Sequence, residues 1–299
     1  MKPASQKSWA SEVRLAVNHA ELSYANDGHP LLKRWLIRSI EGLCGRKRLL
    51  DLYEVWRRDY SVSDQALWRD LLDLIDLRVE CTGHCWPPSD VDGKPLVLIA
   101  NHPYGIADGI AILSLAEQLN RPYRVLINNE LLKVPEVRPF ALTVDFEETE
   151  EALRTNLKTR QEALRLLQEG VTIVIFPGGG VATAAKPFGR AEELPWKTFS
   201  AKLIRSARAT VLPVYFEGQN SPLFHLVSRF SLSLRLSLLI REFKSILGQT
   251  ILARIGDPIP YEALETCESQ RQMMEQLQAA VLDLRQEAET AKPETFYLP

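Results

Sequence analysis

Residues 96–109 read LVLIANHPYGIADG, and they decide the fold. Leu96 to Ala100 form a short apolar run of the kind found in a strand buried on both faces. His102 follows just past its end, and Asp108 falls where the next helix, expected over residues 110–118, begins. Ligands of open α/β sheets gather in the crevice beyond the carboxyl ends of strands, so this polar pair occupies a site-like position. Asp108 there can orient the imidazole and stabilise its charged form while His102 takes a proton from an attacking hydroxyl. The same two residues also read as a loop ion pair with Asp108 capping a helix.

Downstream, strand and helix signals alternate. A strand over residues 123–128 precedes a long helix with leucines at 153, 157, 164 and 167, opened by the acidic run DFEETEE and closed by Gly170. VTIVIF, TVLPVYF and TILARIG are further strands, separated by helix WKTFSAKLIRSA and a basic apolar segment, and a long acidic helix ends the chain. Upstream, LLKRWLIRSIEGL and SDQALWRDLLDLIDL carry apolar residues at helical spacing, the second capped by Ser63 or Asp64 with Leu67, Leu71, Leu72 and Ile75 on one face. The proline-rich stretch WPPSDVDGKP marks a boundary near residue 90. The expected architecture is an α/β fold: an N-terminal helical section over residues 1–90, then a domain over 91–299 with a mostly parallel or mixed central sheet flanked by helices.

Two further strand ends carry polar chemistry. After VTIVIF comes PGGGVATAAKPFGR, where Gly178, Gly179 and Gly180 let backbone N–H groups approach an anion or oxyanion, with Lys186 and Arg190 as added charge. A tight turn is the plainer reading. The run fails as a P-loop, having alanine for the second glycine and proline for Ser/Thr, and it lacks the third glycine of a dinucleotide fingerprint. After TVLPVYF come Glu217, Gln219, Asn220 and Ser221. No GxSxG elbow occurs, which favours direct transfer over a serine hydrolase.

Composition narrows the partners. A net charge of −2 over 299 residues gives no general attraction for nucleic acid, so none is expected. The start of the chain lacks an apolar signal segment and no apolar run approaches the roughly 18 residues of a membrane span, so a cytoplasmic, non-spanning protein is expected. Cys81, His84 and Cys85 cluster without a fourth ligand at finger-like spacing; no metal is expected, and the thiols, Cys44 and Cys267 included, should be free. Residues 31–60 hold eight Lys/Arg against four Asp/Glu, interleaved with Trp35, Leu49, Leu50, Tyr53 and Trp56, and residues 222–248 carry Arg229, Arg235, Arg241 and Lys244 among leucines. Both suit docking on an anionic membrane surface, or ordinary surface helices.

Read together, NHPYGIAD, FPGGGVA at 176–182 and LPV at 212–214 resemble, in order, the motifs NHxxxxD, FPEGTRS and a proline-containing final strand of the lysophospholipid acyltransferase family, related to bacterial 1-acylglycerol-3-phosphate acyltransferases. NHPYGIADG, YFEGQNSPLF, LRLSLLIREF and ARIGDPIP are similar to its hemolysin-like and lyso-ornithine lipid acyltransferase branch, which shares the five-residue spacing between His102 and Asp108. The resemblance covers roughly residues 90–260. It implies a single displacement: His102, supported by Asp108, deprotonates a lysolipid hydroxyl that attacks an acyl thioester of acyl carrier protein or coenzyme A, with no cofactor or metal. Asn101, the three glycines, Lys186, Arg190, Gln219 and Asn220 are the implied substrate-binding positions. Gly178 and Val181 replace the motif's acidic residue and arginine, thought to hold the acceptor's phosphate, which speaks against a glycerol-phosphate acceptor. NNELL at 128–132 is similar to the family's second region, without its following arginine. The implied location is the inner face of the cell membrane, held peripherally. A thioesterase and a non-catalytic lipid-binding protein of the same fold are the alternatives.

Overall fold

The computed structural model describes residues 46–59, 66–91, 93–145, 149–228, 232–287 and 295–297. The expected cap at Ser63 or Asp64, Cys44, Trp35, Arg229 and much of the basic stretch over 31–60 lie outside them. Helices α1 (Arg46–Asp59) and α2 (Leu67–Leu74) lead into β1 (Arg78–Gly83), β2 (Leu96–Ala100), α3 (Ile106–Gln118) and β3 (Tyr123–Asn128). Two 3-10 turns, Asn129–Lys133 and Pro135–Phe140, connect to β4 (Ala141–Val144), α4 (Glu150–Gln168) and β5 (Thr172–Ile175). A small hairpin, β6 (Thr183–Ala184) and β7 (Ala191–Glu192), precedes α5 (Thr198–Ala207) and β8 (Thr210–Phe216). Then come α6 (Pro222–Ser228), α7 (Leu232–Ile246), β9 (Thr250–Ile255), α8 (Tyr261–Glu265), α9 (Gln270–Glu287) and β10 (Thr295–Tyr297).

Eight strands form one sheet in the order β10-β1-β9-β8-β2-β5-β3-β4. The run from β8 to β4 is parallel throughout, whereas β9 lies antiparallel to β8 and β10 antiparallel to β1. This is the expected α/β architecture with a mostly parallel sheet. In the central strand β2, Leu96, Leu98 and Ala100 pack into a core with α1, α2 and α3, while Val97 and Ile99 pack into a second core with α4, α5 and α9. Burial on both faces explains the uninterrupted apolar run.

One expectation needs correction. The boundary near residue 90 does not divide helices from sheet, because β1 lies before it and pairs in parallel with β9 from Arg78↔Thr250 to Gly83↔Ile255. RVECTG is a half-buried strand, with Val79 and Cys81 inward and polar residues between, a short alternation hidden between a helix and the prolines. The leucines of α4 divide along the helix: Leu153 and Leu157 are exposed, whereas Leu167 is buried with Ala152, Ala163 and Leu166. The inward face also carries Asn156, which exchanges hydrogen bonds with the Asp145 backbone (2.7 and 2.9 Å), and Thr159, which donates to the Thr143 carbonyl at 2.6 Å. β4 is an edge strand, and polar side chains there satisfy backbone groups that no further strand pairs. Thr149 caps α4 and Gly170 (φ +85°) follows its end, as the sequence suggests.

At the end of β1, Gly83 adopts φ +101°, and a Cβ there would lie 2.2 Å from the Ile255 carbonyl oxygen. Gly83→Ala should destabilise the protein by at least about 1–3 kcal/mol, read as a lower denaturant midpoint. Gly109→Ala, in α3 with nothing within 4 Å of an added Cβ, should be neutral or stabilising by roughly 0.5–1 kcal/mol.

Candidate active site

β8, β2 and β5 are adjacent and parallel, so their carboxyl ends emerge side by side. Asn101 and His102 leave β2, the glycine run leaves β5, and Glu217 to Ser221 leave β8: the three blocks are neighbours because their strands are. Asn101 is the clasp between two of them. Its Nδ2 donates to the Phe216 carbonyl at 2.8 Å and its Oδ1 accepts the Phe216 N–H at 2.7 Å. Both polar groups of the Asn101 side chain are engaged in this buried bridge, which holds the chain just ahead of His102.

His102 is fixed through its own backbone. Its N–H donates to Glu193 Oε1 at 2.9 Å, and its carbonyl accepts the Ala182 N–H at 2.8 Å. Phe176 stacks on the imidazole with ring centroids 4.1 Å apart. Nδ1 lies 3.3 Å from Asp108 Oδ2, an ion-pair distance with a poor hydrogen-bond angle, of the sort that tightens when substrate binds. Nε2 is thereby left as the free ring nitrogen, and the side chain remains 17% exposed. Asp108, fully buried in the first turn of α3, is oriented by the N–H groups of Tyr104 and Gly109, each at 2.9 Å.

The electrostatics favour a charged imidazole. Burial pulls its pKa down, but Asp108, through charge and contact, and then the charge of Glu193 outweigh it, against a smaller opposing effect of Arg235; the pKa lies above the ordinary 6.5. Burial in turn raises the Glu193 carboxyl, offset by the hydrogen bond from the His102 backbone and the imidazole's charge.

The glycine run forms a tight turn closed by the Gly179 N–H donating to the Phe176 carbonyl at 3.0 Å, with Gly179 at φ +69°. That N–H is thus spent, while among the described residues the Gly180 N–H donates to no other group. Gly178 faces Glu193, since a Cβ there would sit 3.4 Å from Glu193 Oε2. Lys186 and Arg190 do not join the site: both are exposed on the β6–β7 hairpin. Gln219 clamps that hairpin instead, accepting from the Ala191 N–H at 2.8 Å and donating to the Gly189 carbonyl at 3.2 Å. Asn220 is buried and donates to the Tyr104 carbonyl at 3.4 Å. Two residues absent from the sequence reading of the site stand in it, Glu193 and Arg235, the latter read only as a surface cation. The CTGHC cluster disperses: Cys81 is buried, its thiol pushed up to about 12 by burial, Cys85 is exposed, and His84 Nδ1 contacts Asp257 at 2.9 Å.

His102 opens onto an apolar cavity of about 660 Å³, walled by Leu50, Tyr53 and Trp56 of α1, Trp68 of α2, Ile110 of α3 and Phe243 of α7. Beside it, Tyr53 donates to the buried Glu136 at 2.7 Å, and Arg57 of the same helix lies 3.5 Å from that carboxylate, fastening α1 to the sheet domain.

Residues 78–217, from β1 through the end of β8, match the family model for acyltransferases. The chain is an acyltransferase, and the matched segment takes in the exits of β2 and β5 and, after β8, Glu217. Lyso-glycine lipid O-acyltransferase of Phocaeicola vulgatus is 26% identical over 206 residues, covering 65% of this chain and 68% of that protein. The enzyme of the same name from Bacteroides thetaiotaomicron is 24% identical over 229 residues, covering 71% and 77%. The crystal structure of the 1-acyl-sn-glycerophosphate acyltransferase of Thermotoga maritima aligns with a TM-score of 0.47 at 16% identity, over 76% of this chain and 78% of that one. The acyltransferase match and the two O-acyltransferase relatives together support an acyltransferase of lysolipid type.

Two measurements probe this geometry. Asn101→Ala should cost about 1–3 kcal/mol, because the buried Phe216 amide and carbonyl lose their partner. Since the His102 pKa is raised on folding, the protonated imidazole contributes stability that is fully present below 6.5 and lost as pH rises through the folded-state value. Asp108→Asn should lower that value, seen as a downfield-to-upfield imidazole transition at lower pH in an NMR titration; an unmoved midpoint would refute the coupling.

Proposed function

We propose that the protein transfers a fatty acyl group from a thioester of acyl carrier protein or coenzyme A to the hydroxyl of a lysolipid, with His102 as general base. The observation that carries this reading is the His102–Asp108 pair opening onto a large apolar cavity. Nε2 takes the hydroxyl proton as the oxygen attacks the thioester carbonyl; the C–O bond forms, the C–S bond breaks, and the departing thiolate receives the proton from the imidazolium. Asp108 supports the transient imidazolium, and the Gly180 N–H is a candidate donor to the oxyanion. The displacement is redox-neutral and calls on no resident cofactor or metal. The cavity takes the acyl chain, apolar against apolar. Because the relatives carry the name lyso-glycine lipid O-acyltransferase, we propose a lysolipid with an amino-acid headgroup as acceptor, the class to which the lyso-ornithine resemblance also leads.

Docking on an anionic membrane face is part of the proposal. Phe188, 91% exposed at the tip of the β6–β7 hairpin, is flanked by exposed Lys186 and Arg190, and α6, which touches the hairpin through His225, exposes Leu223 and Leu226. Each cation near such a surface contributes about 1 kcal/mol, screened by salt. Among the described residues no helix is long and apolar enough to cross a membrane.

The decisive assay follows a radiolabelled acyl group from either thioester onto a panel of lysolipids. Transfer to an amino-acid lysolipid should fall about a hundred- to ten-thousand-fold in His102→Ala, and the wild-type rate should rise with pH through the imidazole pKa. Release of free fatty acid without acceptor would instead mark a thioesterase; undiminished transfer by a folded His102→Ala protein would remove His102 from the mechanism. Flotation with anionic vesicles should show binding that weakens with salt and with Phe188→Ser, and absence of binding at low salt would refute the docking surface. Gly109→Leu, which projects into the cavity, should shift preference to shorter acyl chains at unchanged thioester chemistry.

A further inference from the structure

Among the described residues, Arg235 on α7 is a cation without a counter-charge. Its guanidinium donates to the Val181 carbonyl, and its other contact is the Phe224 ring, whose centroid lies 5.6 Å away. Among the described residues no carboxylate pairs with it, whereas the comparable Arg254 meets Glu217 at 2.6 Å and Arg57 lies 3.5 Å from Glu136. A half-buried guanidinium has lost much of its hydration, and with most of its five N–H donors unused it is poorly compensated until something anionic arrives. Burial lowers its pKa, and its charge is felt at His102.

Its location beside the reacting groups gives that deficit a direction. A Cβ on Gly180 would lie 4.0 Å from the Arg235 Nη2, so the guanidinium stands next to a glycine of the turn whose N–H donates to no other group among the described residues. The backbone it grips is that of residue 181, where valine occupies the place of an arginine in the resembling motif. The cation therefore enters from another helix, 54 residues along the chain. Leu238 and Leu239, one helical turn further on α7, pack with Val181 and Phe224 and hold the helix against the turn.

We propose that Arg235 binds an anionic group, carboxylate or phosphate, of one of the two substrates that meet at His102, the lysolipid acceptor or the thioester donor. The proposal rests on the reading of His102 as the reacting base. It makes Arg235 a specificity residue that selects acidic-headgroup acceptors or a phosphate of the thioester donor.

Direct binding by titration calorimetry tests it without turnover, using a glycine-headgroup lysolipid with a free carboxylate, the same lipid as its carboxamide, and coenzyme A. Wild-type protein should prefer one anionic ligand, and Arg235→Gln should weaken that ligand by on the order of ten- to a hundred-fold while leaving the carboxamide unchanged. Arg235→Lys, which keeps the charge but not the fork, should lose less. A loss confined to the carboxylate lipid assigns the anion to the acceptor, and one confined to coenzyme A assigns it to the donor. Equal binding of carboxylate and carboxamide by the wild type, together with coenzyme A binding indifferent to Arg235→Gln, overturns the proposal, as does an equal loss of all three ligands. If the anion preference holds while no lipid is acylated, the reaction assigned to His102 fails and the Arg235 site stands.

Discussion

The parallel pairing of β2 with β5 on one side and β8 on the other is the constraint from which the site follows. Pairing sets the register, and the register places three chain exits within one crevice although they are separated by dozens of residues. The Asn101 amide extends that pairing one step beyond the last strand residue, so the backbone entering His102 is already held when the loop begins. From there the histidine needs few further restraints. Ala182 and Glu193 hold its peptide groups, and Phe176 holds its ring.

The charges in this crevice are balanced by position rather than by number. Two acids act on one imidazole from different directions: Asp108 from the helix after it, and Glu193 from beyond the hairpin. Arg235 opposes both from a third element. A low-dielectric setting strengthens each of these effects, so a proton moving onto Nε2 changes the energy of every group around it. An apolar cavity on one side and a cation on another give the crevice an oily end and a polar end, as an amphiphile requires.

Much of the scaffold was legible in the sequence because it obeys local rules. Buried strands reveal themselves as unbroken apolar runs, α4 by its acidic opening and Gly170, and the His102–Asp108 pair by its place at a strand end. What escaped is set by tertiary contact. β1 is a short alternating strand whose partner lies far along the chain, and the inward face of α4 is polar because an edge strand needs covering. Asn101, Gln219 and Asn220 have side chains as suited to ligands as to backbone, and only coordinates reveal which they serve. Glu193 sits in a stretch with no motif and Arg235 in one that reads only as a branch likeness and a basic face, and nothing in local spacing brings either toward His102.

The cavity wall contributed by α1 lies upstream of residue 78, where the matched acyltransferase segment begins. One phenol and one guanidinium, both meeting Glu136, fasten that wall to the body of the enzyme. On the proposed function, part of the chain-measuring wall is thus written outside the stretch that carries His102. On that reading, lineages can remodel this part of the ruler by changing α1 residue by residue while His102 and its charges stay untouched, so acyl-length preference is free to drift among relatives.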